Sequence, residues 1–220
     1  MPRLLFEKKG NSVWISHLDL MRVFQRSFQR AGLPLTHTKG FNPRPSVSIA
    51  LPMSVGIESS CELLDFDLEG EMPGNEELRD RLNESLIAGV RVLKAYEDGL
   101  KIKHLAYLDC VLDFEYDQGI PAGTLDGLQA LFSQEALNME KKSKTGKITQ
   151  QNVVSMIRSI AFMEKDPNTI EVQARICCQN PTLNPMQIPA AIEKYAPLLH
   201  PDFVTYRREE IYDQEENIFR

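Results

Sequence analysis

The chain has 220 residues, a formal net charge of -6 at pH 7, 42% hydrophobic residues and 25% charged ones. That composition belongs to a folded chain rather than a disordered one, and the length suits one large or two small domains. No apolar run approaches the ~18 residues of a membrane helix, and Met1-Pro2-Arg3-Leu4-Leu5-Phe6-Glu7 lacks the apolar core of a signal peptide, so a cytoplasmic protein without a membrane partner is expected.

In chain order, residues 3–9 and 12–15 read as a strand or hairpin about Gly10-Asn11. Ser16-x-x-Asp19 has the form of a capping box, and Leu20, Met21, Phe24, Phe28 and Ala31 then recur at helical spacing until Gly32 and Pro34 stop the helix. Gly40, Pro43 and Pro45 make residues 35–45 a loop. Residues 46–51 and 63–68 read as strands, Asn75 caps a helix over 76–88, and Val90-Arg91-Val92-Leu93 starts another strand. This is the β-α-β-β-α-β order of a ferredoxin-like domain.

A similar order recurs after Gly99. Residues 104–116 form a long strand, 122–132 a helix and 135–141 a strand, with Lys141-Lys142-Ser143-Lys144-Thr145-Gly146-Lys147 as a basic loop or hairpin tip. Residues 150–157 read as a short helix, 170–176 as a clean alternating strand, Asn184-Pro185 opens a helix to about Tyr195, and 203–212 close as a strand. The acidic end Asp213-Gln214-Glu215-Glu216 is expected to fray. The fold class is therefore α+β, two ferredoxin-like domains packed together: a basic-headed domain over 1–100 and an acidic one over 101–220.

The charge is asymmetric. Residues 1–50 hold eight basic residues (Arg3, Lys8, Lys9, Arg22, Arg26, Arg30, Lys39 and Arg44) against Glu7 and Asp19, a balance of +6. The other 170 residues hold 17 basic and 29 acidic ones, a balance of -12. A basic head on an acidic body points to one anion-facing surface. Arg22, Arg26 and Arg30 repeat at i, i+4 and i+8 with Gln25 and Gln29 beside them. Like charges at that spacing repel, so stability alone does not select the row. Guanidinium forks suit phosphates; the plainer reading is a solvated basic face.

The loop after the helix holds His37, Lys39, Gly40, Phe41, Asn42 and Arg44. Gly40 permits close backbone approach, Phe41 offers a ring for a base to stack on, and Lys39 and Arg44 offer charge to phosphates. The alternative is a rigid proline-rich connector. His17 and His37 supply two imidazoles, enough in principle for metal-independent RNA cleavage, although helix capping by His17 and loop hydrogen bonding by His37 are the preferred reading. Asp65, Asp67 and Glu69 with Glu62 read as a solvated sheet face before a metal site. Cys61, Cys110, Cys177 and Cys178 have no zinc or iron–sulfur spacing, and the first two read as packing residues.

Within residues 14–56, the pieces Ser16-His17-Leu18-Asp19-Leu20-Met21-Arg22, Phe24-Gln25-Arg26, Arg30-Ala31-Gly32-Leu33-Pro34, Gly40-Phe41-Asn42-Pro43 with Pro45, and Ala50-Leu51-Pro52 before Val55-Gly56 stand together. This run resembles the radical-SAM-linked protein family, a domain of unknown function fused to, or encoded beside, B12-binding-type radical SAM proteins. Leu183-Asn184-Pro185 departs from the Arg-Pro pair of that pattern. The resemblance implies a free-standing accessory module with no cofactor of its own, the partner carrying the iron–sulfur cluster and S-adenosylmethionine. At fold level it also resembles RNA-binding ferredoxin-like proteins of CRISPR repeat processing. Three functions follow: a non-catalytic module that brings RNA or another polyanion to a radical SAM enzyme, a subunit that docks directly on that enzyme, and an endoribonuclease using His17 and His37.

Overall fold

The structure, a computed structural model, describes residues 2–142 and 148–220. The chain divides into two compact units, residues 1–104 with Phe219–Arg220, and residues 105–218.

The first unit runs β1 (Arg3–Lys8), α1 (His17–Arg30), β2 (Val47–Ala50), β3 (Glu58–Phe66), α2 (Asn75–Ser85) and β4 (Val90–Tyr96). All pairings are antiparallel, in the order β4-β1-β3-β2. This is the split β-α-β arrangement expected from the element order. Leu4 pairs with Leu64 and Ala95, and Leu64 with Ile49, which sets Leu4, Phe6, Leu64 and Phe66 on one buried face. The apolar stripe of α1 lands on that face. Phe24 meets Phe6 edge-on at 4.7 Å between ring centres, and Phe28 meets Phe66 at 5.2 Å. Phe24 is fully buried, so Phe24→Ala is expected to lower stability by about 3–5 kcal/mol, read as a lower urea midpoint at unchanged slope.

The ends of α1 follow from its sequence. The Asp19 N–H donates to Ser16 Oγ at 3.2 Å, and the Ser16 hydroxyl lies 2.7 Å from Asp19 Oδ2. At the other end Gly32 takes φ +66°, its N–H donating to Gln29 O while the Leu33 N–H donates to Phe28 O. These two bonds make a Schellman stop. One expectation fails nearby. Residues 10–14 form a 3-10 turn rather than a strand, because Gly10 reverses at φ +58° and the Ser12 hydroxyl lies within hydrogen-bonding distance of Lys9 O and Gly89 O. The turn leaves Trp14 70% exposed.

The second unit runs β5 (Leu105–Glu115), α3 (Thr124–Phe132), β6 (Asn138–Lys142), β7 (Ile148–Asn152), β8 (Ile157–Asp166), β9 (Thr169–Cys177), α4 (Gln187–Tyr195) and β10 (Phe203–Asp213). Its antiparallel order is β10-β5-β9-β8, with β6 and β7 paired as a separate hairpin. Without that hairpin the order of elements repeats the first unit. Of the Lys-rich stretch 141–147, residues 143–147 lie outside the described residues.

Two expectations are corrected here. Residues 150–157 are not a helix: β7 continues to Asn152, a single 3-10 turn covers Val154–Met156, and β8 follows. Strand β8 pairs only with β9 among the described pairings and is mostly exposed, so no apolar alternation marks it. The acidic end is also ordered. Glu216 accepts from Arg158 at 2.7 Å and from Arg175 at 2.9 Å, while Arg175 also grips Asp109 and lies 3.9 Å over the Tyr212 ring. The Arg158 and Arg175 guanidiniums hold the Glu216 carboxyl below the usual range. A carboxyl lowered in the fold stabilises above its unfolded pKa, and that stabilisation is lost as pH falls through the folded value. Protection of the amides over 213–218, taken relative to the intrinsic exchange rate at each pH, is therefore expected to fall as pH drops from about 6 to about 3.

Candidate functional site

The eight cations of the basic head separate into three groups. Arg3 and Lys8 are buried, Arg3 1% exposed and paired with Asp65, and Lys8 donating to Val13 O at 3.4 Å. Neither faces solvent, so they do not belong to an anion-facing surface. Asp65 likewise is the partner of Arg3 rather than a solvated carboxylate, and Glu62 is buried. Lys9 pairs with Glu7 at 2.9 Å, and Arg22 with Asp19 at 2.7 Å. Arg30 donates to Ser85 O at 2.8 Å. Arg26, Lys39 and Arg44 have no ion pair among the described residues, and all three are exposed. The Arg22, Arg26 and Arg30 row is thus unequal: among the described residues its middle member alone has no protein acceptor.

Residues 36–46 are not a slack connector. The Thr38 N–H donates to Arg44 O at 2.8 Å, the Ser46 N–H to Thr36 O at 2.8 Å, and the Arg44 N–H to Thr38 Oγ1 at 3.0 Å. His37 and Pro45 form an antiparallel bridge. The result is a narrow tongue. Lys39, Gly40, Phe41, Asn42 and Pro43 make its exposed tip, Gly40 turns at φ +145°, and Phe41 is entirely in solvent. Sequestering that ring would have been the default for an apolar side chain; its exposure leaves one aromatic face beside two uncompensated cations.

A cleft of about 530 Å³ opens between the second half of α1 and the base of the tongue. Phe28, Leu33 and Leu35 form its apolar floor, and Gln25, Arg26, Gln29, His37 and Glu69 its polar rim. The His37 Nδ1 lies 4.0 Å from a Glu69 carboxylate oxygen. Arg26 and His37 belong to the site expected from the sequence; Glu69, which follows β3 in the next loop, and the apolar floor do not. Leu35 pairs with Leu68, one residue before Glu69, and an apolar bridging pair of that kind leaves no motif in the sequence.

The structure does not bring His17 and His37 together. His17 opens α1, whereas His37 sits by Gln25 and Gln29 toward its far end. Twelve residues of helix separate positions 17 and 29, roughly 18 Å at 1.5 Å per residue. No acid–base pair for RNA cleavage is formed by these imidazoles. Cys61 and Cys110 are buried, and burial pushes the Cys110 thiol up to about 12. Among the described residues no cluster of three or more His, Cys, Asp or Glu side chains is placed to hold a metal, and no helix is long and apolar enough to cross a membrane.

These features define an α+β protein with a rigid basic tongue beside a mixed cleft. Residues 2–185 match the family described as an uncharacterized protein conserved in bacteria (DUF2344), and the chain belongs to that family. No curated protein matches it. Among solved structures it is similar to a chain of a Cbf5-Nop10-Gar1 complex, at a TM-score of 0.52 and 8% identity, over 96% of this chain and 48% of that one. It is also similar to a chain of an H/ACA RNP bound to a substrate RNA containing 2'-deoxyuridine, at a TM-score of 0.48, 8% identity, and 94% and 46% coverage. The chain spans about half the length of these proteins, and the likeness is one of fold.

Proposed function

We propose that this protein is a non-catalytic binding module that recruits RNA through α1 and the tongue, and that it serves a radical SAM enzyme of the B12-binding type. The observation that carries the RNA reading is that Arg26, Lys39 and Arg44 are exposed with no ion pair among the described residues, and that Phe41, between Lys39 and Arg44 in the tongue, is fully exposed. Uncompensated cations attract phosphate, and an exposed aromatic face stacks on a base. The partner assignment rests on the motif run between Trp14 and Gly56. The iron–sulfur cluster and S-adenosylmethionine would then lie on the partner.

Binding of total cellular RNA, measured against salt, tests the first part. Three phosphate contacts at ~0.7 counterions each give a log–log slope of roughly -2 for single-stranded RNA. A flat salt dependence would overturn the reading. A second reading, direct docking on the enzyme without RNA, draws support from the exposed Trp14, Leu18 and Val55 in the same run. A radical SAM protein that co-purifies after nuclease treatment favours it.

A further inference from the structure

We propose that the cleft between α1 and the tongue takes one unpaired nucleotide of the bound RNA, base inward, so that the protein selects single-stranded segments over duplex. This rests on the RNA reading above and adds what kind of RNA is held. The cleft, about 530 Å³, falls within the range of sites that enclose a small ligand and is far too small for a duplex segment. Its floor is apolar, as the face of a base requires. Its rim carries the amides of Gln25 and Gln29, each offering both a donor and an acceptor to a base edge.

The rim is also polarised. Glu69 stands on the side of His37, and its carboxylate repels phosphate while accepting N–H groups from a base edge. Arg26 is a cation of the α1 side with no protein partner among the described residues, so the phosphate lies toward Arg26 and the base toward Glu69 and His37. A base within a duplex has both faces stacked and its pairing edge engaged, and it meets neither floor nor rim; an extruded base meets both. Phe41 at the tongue tip offers a second stacking surface to a neighbouring base. Because amides satisfy every base edge in part, the site distinguishes unpaired from paired nucleotides more strongly than one base from another.

The test compares a fluorescein-labelled, unstructured oligoribonucleotide with the same strand annealed to its complement, using the full chain. Wild type is expected to bind the single strand at least about tenfold more tightly than the duplex. Gln29→Trp, which fills the cleft from an exposed helix position, and Gln25→Ala with Gln29→Ala, which strips its rim, are each expected to lower that ratio several-fold, leaving only the part that stacking on Phe41 supplies. Duplex affinity and its salt slope should stay unchanged in both. An undiminished preference in both variants, or equal binding of the two probes by wild type, overturns the cleft assignment while the RNA reading stands. Displacement of the strand by free guanosine monophosphate overturns it too, since the cleft would then serve a free nucleotide. Binding of neither probe overturns the RNA reading itself.

Discussion

Asp65→Ala is expected to destabilise the protein by about 3–5 kcal/mol, a large part of the ~5–15 kcal/mol that holds a typical domain folded. Arg3 and Asp65 stand directly opposite each other on β1 and β3. Arg3 Nε lies 2.5 Å from Asp65 Oδ1 and Nη2 3.2 Å from Oδ2, and the guanidinium also lies 5.4 Å from the centre of the buried Phe219 ring. Removing the carboxylate leaves a desolvated cation that cannot reach water. The guanidinium has little room to move, for a Cβ added at Gly99 would sit 2.9 Å from its central carbon. Arg3→Met combined with Asp65→Leu should recover most of the loss, because an apolar pair carries no desolvation penalty. Urea titration of the three proteins measures this. A single Asp65→Ala loss under about 1 kcal/mol would show that the pair behaves as a surface bridge.

Arg26→Glu with Lys39→Glu is expected to weaken RNA binding by about 100-fold at physiological salt. Two charge-assisted phosphate bonds at ~1.5 kcal/mol each account for about 3 kcal/mol, and tenfold corresponds to ~1.4 kcal/mol. The salt slope should fall by ~1.4 as two counterion-releasing contacts disappear. Folding stability should remain within about 0.5 kcal/mol of wild type, since both side chains are exposed and neither has an ion pair among the described residues. Arg22→Ala serves as the contrast. That guanidinium is already engaged by Asp19 at 2.7 Å, so its loss should weaken binding by less than either reversal.

The fold was legible where one period dominates. The α1 stripe, its Ser16 cap and its Gly32 stop are local signals, and the alternation over 170–176 reflects a strand with one face on a core. Strand β8 was not legible because it is largely exposed and hydrogen-bonds to β9 alone among the described pairings. Its one signal was Pro167-Asn168 between Asp166 and the clean strand that follows, a turn dipeptide that joins β8 to β9. The acidic end looked solvated because Arg158 and Arg175, its partners, stand 41 or more residues away.

Charge counting was the least informative guide to the candidate site. Eight cations near the N-terminus look alike in the sequence, yet five of them are buried or engaged by protein groups, two of these by partners far along the chain. Asp65 lies 62 residues from Arg3, and Ser85 lies 55 from Arg30. What remains is three cations, a tongue held by its own backbone bonds, and an exposed ring. Glu69 and the apolar floor reach the cleft through tertiary packing that no spacing rule records.

Affinity purification of the protein from its native cell after ultraviolet crosslinking, with bound protein and RNA both identified, separates RNA recruitment from direct docking. RNA crosslinked to residues 36–46, at unpaired positions, is expected together with a radical SAM protein. Recovery of a radical SAM protein with no crosslinked RNA, unchanged by nuclease and lost in Arg26→Glu with Lys39→Glu, would contradict RNA recruitment and leave a protein-docking surface in its place.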